Sequence, residues 1–154
     1  MGEVVYAAPQ FGAHAAGPEP GRRARAGRAG RSIGTVARVL IVDADPAALA
    51  AMSQALQSEG HRTATAFDAA GALTTAERLG PFDILITDRC MTPMSGTELS
   101  GALRRRDPQL QVLYVTDTHD ERDFPDVLER PFSEHDLTQA VASLLSWERP
   151  RRTP

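Results

Sequence analysis

FDILITDRCMTPMSG, residues 82 to 96, is the stretch on which the reading of this chain turns. FDILIT (82–87) is a short, continuous apolar run, the pattern of a strand buried on both faces of a parallel sheet, and it ends abruptly in Asp88. From Gly96 to Arg106 the apolar spacing becomes helical, with Leu99, Ala102 and Leu103 inward, until Asp107-Pro108 breaks it. A buried strand closing on a carboxylate, then a loop, then a helix, is one unit of an alternating strand and helix chain.

The same unit repeats on either side. Upstream, RVLIV (38–42) is a buried strand ending in Asp43. Asp45 offers an N-cap, Pro46 a first helical residue, and Leu49, Met52 and Leu56 an apolar stripe that stops at Gly60. RTATAF (62–67) is a weaker strand, and Asp68 caps a helix running through Leu73, Ala76 and Leu79 to Gly80-Pro81. Downstream, LQVLYVT (110–116) and Asp126 to Glu129 supply two more strands. Ser133 with Asp136 fits a capping box, ahead of a helix with Leu137, Ala140, Val141, Leu144 and Leu145 on its apolar face. Such alternation requires a parallel sheet covered on both sides, and ligands of such sheets bind beyond the carboxyl ends of the strands. Asp43, Asp88 and Thr116 each stand at such an end, so three polar groups from three strands converge on one crevice.

Composition bounds what else the chain can be. Its 154 residues fit one ordinary domain, no stretch is apolar enough to span a membrane, and the single cysteine, Cys90, allows neither an intrachain disulfide nor a cysteine-based zinc site. A cytoplasmic location is the expectation. The net charge of −3 hides a division: residues 1–36 carry five arginines against two acids, residues 37–148 nine against eighteen, and residues 149–154 three arginines. An acidic body repels nucleic acid, which is not an expected partner, and no membrane contact is expected either. All 17 basic residues are arginine. Residues 1–36, rich in Gly, Ala, Pro and Arg, read as a disordered extension whose removal costs the fold little, and 149–154 as a basic tail. The histidines at 14, 61, 119 and 135 show no metal-ligand spacing.

Two carboxylates facing each other at a sheet edge need a cation or a proton between them, and oxygen-rich sites of that kind suit Mg²⁺. A carboxylate can also be the nucleophile in phosphoryl transfer. VLIVDADP, FDILITDRCMTPMSG, VLYVT and VLERPF, in this order and at strand ends, resemble the receiver domain of bacterial two-component response regulators over about residues 38 to 147. The resemblance implies a flavodoxin-like, doubly wound α/β fold with a five-stranded parallel sheet in the order 2-1-3-4-5, over residues 37–148. It implies Asp88 as phosphoacceptor, and Asp43, Asp88 and the backbone carbonyl of Cys90 as holders of Mg²⁺. Thr116 and Arg130 would contact the phosphoryl group, and a cis bond would precede Pro131. The partners implied are a histidine kinase or phosphotransfer protein and a downstream protein not identified by the sequence; the chain itself would not be an enzyme. With only WERPRRTP after the last helix, a stand-alone receiver is expected.

Several positions depart from the family pattern. Ala44 stands where a second acidic residue, a direct metal ligand, is usual, so Mg²⁺ binding is expected to be weak. Asp45 could replace it only by leaving the helix cap. Arg130 stands in place of lysine, keeping the charge but as a planar fork. Val127 replaces a common aromatic, Pro93 falls one residue late, and the span from Thr116 to Arg130 is short by about two turns, so the fourth helix should be shortened or missing. A pseudo-receiver, an interaction module without phosphorylation, is the rival that Ala44 and Val127 favour. An FMN or nucleotide site is disfavoured, since the turn DADPAA lacks the glycines that cradle a phosphate.

Overall fold

The computed structural model describes residues 4–7, 36–117 and 126–146. In chain order the elements are β1 (Val4–Ala7), β2 (Arg38–Val42), α1 (Pro46–Ser58), β3 (Arg62–Ala66), α2 (Ala69–Leu79), β4 (Ile84–Asp88), α3 (Gly96–Arg106), β5 (Gln111–Thr116), β6 (Val127–Glu129) and α4 (Glu134–Ser146). One sheet runs β1-β3-β2-β4-β5-β6. Strands β2 to β6 are parallel, in the order 2-1-3-4-5 expected for the five of them. The expected shortening of a helix between β5 and β6 falls on residues 118–125, outside the described residues, as do residues 147–154.

The alternation of side chains along each strand divides the core in two. Val39, Ile41, Ile84, Ile86, Leu113 and Val115 pack under α1 and α4, against Leu49, Met52, Leu56, Leu137 and Val141. Leu40, Val42, Leu85, Val112 and Tyr114 pack under α2 and α3, with Ala72, Leu99 and Leu103. The helix starts use the expected caps. Asp45 accepts from Ala47 N, Asp68 from Gly71 N, and Ser133 and Asp136 bond reciprocally at 2.9 and 3.0 Å. The Ser133 backbone amide, and its side chain after it, also hold the Asp136 carboxyl below its ordinary range. Helix α1 gives way to Gly60 at φ 92°, a conformation that favours glycine. In α2 the expected stripe shifts: Ala69, Ala72 and Thr75 are buried, while Leu73, Ala76 and Leu79 are only partly so. In α3, Ser100 rather than Ala102 turns inward, where its hydroxyl bonds the Tyr114 hydroxyl at 2.6 Å.

The reading of residues 1–36 as a disordered extension is corrected at residues 4–7. Val4–Ala7 pairs antiparallel with β3, Val4 opposite Ala66 and Ala7 opposite Thr63, and adds a sixth strand to the sheet. The edge of β3 would otherwise leave its backbone groups without strand partners, and VVYA can supply them although no periodicity marks it. Residues 8–35 lie outside the described residues. A chain beginning at Val36 is therefore expected to melt a few degrees below the full chain, since the ladder contributes on the order of 1 kcal/mol per bond before the closure cost of the connection is subtracted. Calorimetry of the two forms checks this; equal melting temperatures would show that β1 adds no net stability.

His61 sits between α1 and β3, buried, and its Nδ1 accepts a hydrogen bond from Ala37 N at 3.1 Å. Burial lowers its pKa from the ordinary 6.5, against the opposing pull of Glu59 and Asp83. The folded form thus prefers the neutral ring, which alone can accept from Ala37. The unfolded chain binds the proton first as pH falls, so this contribution is complete above about pH 6.5 and shrinks below it. His61→Gln should flatten the stability profile between pH 5 and 7 in urea titrations, relative to the full chain with His61 intact. An unchanged slope would mean that other groups set it.

Candidate functional site

The carboxyl ends of β2, β4, β5 and β6 form one crevice. Val42 pairs with Thr87, which brings the next residues, Asp43 and Asp88, to neighbouring strand ends, and Asp88 lies opposite Val115. Thr116 follows at the end of β5, buried, and its backbone carbonyl accepts from Arg130 N at 2.9 Å. That bond carries the chain directly from β6 into the crevice. The Arg130-Pro131 bond is cis, as the resemblance implied.

Arg130 reaches back across the sheet end to the acid pair. Its Nη2 donates to Asp43 Oδ2 at 2.5 Å and to Asp88 Oδ2 at 3.3 Å, and its Nη1 to Asp117 Oδ1 at 3.4 Å. Asp43 is buried, Asp88 and Arg130 are partly covered, and Asp117 is largely exposed. Burial by itself would weaken the arginine's hold on its proton. The neighbouring Asp43, followed by Asp88 and Asp117, outweighs it and raises the pKa above the ordinary value.

The second oxygen of each carboxylate is held by backbone. Asp43 Oδ1 accepts from Asp45 N at 2.9 Å, and Asp88 Oδ1 from Cys90 N at 2.8 Å. These are the short turns by which a carboxylate orders its own following loop. The Cys90 side chain is exposed and its thiol free. Gly96, at the start of α3, lies so close behind Asp88 that a Cβ there would stand 2.3 Å from the Asp88 carbonyl oxygen. Its amide donates to the Arg89 carbonyl at 3.0 Å, drawing α3 against the end of β4.

The structure thus brings Asp43, Asp88 and Arg130 into contact and puts Thr116 at the same edge, while Cys90 meets Asp88 through its amide. Ala44 is exposed in the turn beside them, and Val127, half-buried at the start of β6, packs with the Tyr114 side of the core. Two contributors were missed from sequence. Asp117 is marked only by following Thr116, and Gly96 only by its place at the end of FDILITDRCMTPMSG.

Mg²⁺ was expected from the resemblance, and the residues as they stand do not fit it. Asp45 Oδ1 is committed to the α1 cap at 3.0 Å from Ala47 N, so it does not supply the ligand that Ala44 lacks. A nitrogen of Arg130 stands between the two remaining carboxylates. Among the described residues no cluster of three or more His, Cys, Asp or Glu side chains is placed to hold a metal ion. A cavity of about 210 Å³ exists elsewhere, lined in part by Leu40, Phe82, Leu85, Leu103 and Leu110, and opens at the amino ends of the strands, away from these groups.

A doubly wound parallel sheet with an acid pair at its switch point, a buried threonine and a cation before a cis-proline defines a receiver. The chain belongs to that family: residues 39–142 match the response regulator receiver domain. It is similar to the probable transcriptional regulatory protein TcrX of Mycobacterium tuberculosis, 32% identical over 123 residues that cover 75% of this chain and 52% of that protein. It is also similar to the response regulator receiver protein CpdR of Brucella abortus, 28% identical over 70% of this chain and 96% of that one. Among solved structures, the chemotaxis protein CheY4 of Vibrio cholerae superposes with a TM-score of 0.65 at 26% identity, covering 71% of this chain and 98% of that one. The chain spans about half the length of TcrX and of the transcriptional regulatory protein TrcR. Among the described residues no helix is long and apolar enough to cross a membrane.

Proposed function

We propose that this receiver accepts a phosphoryl group on Asp88 from a histidine kinase or phosphotransfer protein and signals through docking to a further protein. The observation that carries the reading is the convergence on Asp88: it ends β4 beside Asp43, with Arg130 touching both carboxylates. In the transfer, an oxygen of the Asp88 carboxylate forms a bond to phosphorus while the bond from phosphorus to the donor's histidine nitrogen breaks. The imidazole leaves with the electron pair of that bond and takes up a proton. Arg130 would meet the charge that develops on the phosphoryl oxygens, and Thr116 would supply a hydroxyl to them. Cys90 N, through Asp88 Oδ1, fixes the orientation of the attacking group. The chain supplies the acceptor and turns over no substrate of its own, so it acts as a signalling partner, in the cytoplasm, rather than as an enzyme.

Labelling by acetyl phosphate or a kinase, read by intact mass, tests the assignment. The full chain should gain one phosphoryl group and Asp88→Asn none. Equal labelling of the Asn variant would refute Asp88 as acceptor, and no labelling of either would favour an interaction module that works without phosphate.

A further inference from the structure

We propose that Arg130 is the resident counter-cation of the Asp43–Asp88 pair, standing where a divalent ion would stand, so that the pocket excludes metal and Asp88 takes a phosphoryl group without it. In its second half, concerning phosphorylation, this inference rests on the reading of Asp88 as acceptor; its first half, the exclusion of metal, does not.

All four oxygens of the two carboxylates are engaged by the chain's own donors. Asp43 Oδ1 accepts from Asp45 N, Asp88 Oδ1 from Cys90 N, and both Oδ2 atoms from Nη2 of Arg130. A single nitrogen, 2.5 Å from one Oδ2 and 3.3 Å from the other, lies in the gap between them. Mg²⁺ needs oxygens at about 2.0–2.1 Å in octahedral array, so it cannot enter that gap while the guanidinium is there, and two cations so close repel. Displacing Arg130 would cost its contacts with Asp43, Asp88 and Asp117 together and leave the charge to be solvated elsewhere. The gain would also be small, because Ala44 provides no carboxylate and Asp45 is tied to the helix cap. A fork-shaped cation suits this task better than an ammonium would. It can hold Asp117 through one nitrogen while bridging the acid pair with the other.

Mn²⁺ alone, titrated into the full chain and followed by the electron paramagnetic resonance of the free ion, tests the exclusion, with Asp43→Asn as the baseline for adventitious surface sites. The full chain should show no binding above that baseline into the millimolar range. Ala44→Asp restores a carboxylate but leaves Arg130 in place; Ala44→Asp combined with Arg130→Gln should bind Mn²⁺ at least about tenfold more tightly than Ala44→Asp alone. Equal affinity of the single and double variants would overturn the proposal, as would saturable binding by the full chain that Asp43→Asn removes. Because Ala44→Asp retains the whole ion-pair network, it serves as a folded reference, and the circular dichroism of the double variant is compared with it. The second half is read from acetyl phosphate labelling with excess EDTA, where Asp88 displaces acetate from phosphorus. Labelling that persists in EDTA supports it, and labelling that requires Mg²⁺ refutes it. Failure to label under either condition counts against Asp88 as acceptor, while the Mn²⁺ titration still decides the exclusion.

Discussion

Shortening Ile86 to alanine is expected to lower the unfolding free energy by about 2–5 kcal/mol, more than any surface change in this chain. Ile86 is fully buried in the middle of β4, flanked by Ile41 on β2 and Leu113 on β5, under the helices α1 and α4. Its neighbours belong to strands fixed by ladders on both sides, so they cannot collapse into the space left behind. The missing contacts then add to the lost transfer energy. For a domain of this size a melting temperature lower by on the order of 10 °C follows. Asp88 stands two residues further on, on the same face of the same strand, so phosphoryl capture should fall with the folded population and not before it. Urea denaturation of Ile86→Ala and the full chain measures the loss; a cost below about 1 kcal/mol would mean that the sheet closes over the void.

Gly96→Ala is expected to damage the fold and to disturb Asp88, the proposed acceptor. The added methyl would meet the Asp88 carbonyl oxygen at 2.3 Å and the Arg89 Cα at 3.0 Å. Both obstacles are backbone and neither can rotate away, so α3 or the end of β4 must move, at about 1–3 kcal/mol. The movement falls on the peptide that carries the Asp88 side chain, which should slow labelling at temperatures where the variant is still folded. Gly101, in the same helix, is the control, since a Cβ there meets nothing within 4 Å. Gly101→Ala should be neutral or stabilise by up to about 1 kcal/mol through helix propensity. Thermal melts of both variants decide the matter: similar effects would show that the close approach of α3 to Asp88 is not restrictive.

The strands and caps were legible because they rest on local rules. RVLIV, for example, is β2 to the residue, and the Ser133–Asp136 box forms with both of its bonds. The antiparallel strand β1 was not, since four residues in a Gly- and Arg-rich surround carry too little pattern. What specifies β1 is the edge of β3, some sixty residues away in sequence. At the site, strand ends located Asp43, Asp88 and Thr116, but not what Arg130 would touch. Its reach to Asp43 is set by the β5–β6 pairing and the turn after β6, which are tertiary facts. Asp117 and Gly96 were missed for the same reason: one acts through Arg130, and the other through a distance of closest approach that no spacing encodes.

The addition of β1 also changes how the sheet ends. Its outermost members are now its shortest, four residues in β1 and three in β6, while the five- and six-residue strands lie between them. Long, bare borders are where separate molecules stitch their sheets together into insoluble polymers, and short ones offer too few bonds for a stable seam. A receiver whose β3 lay uncovered would present a five-residue border instead. The opening residues of this chain thus leave the sheet with a border of four residues at one end and three at the other, each shorter than any strand between them.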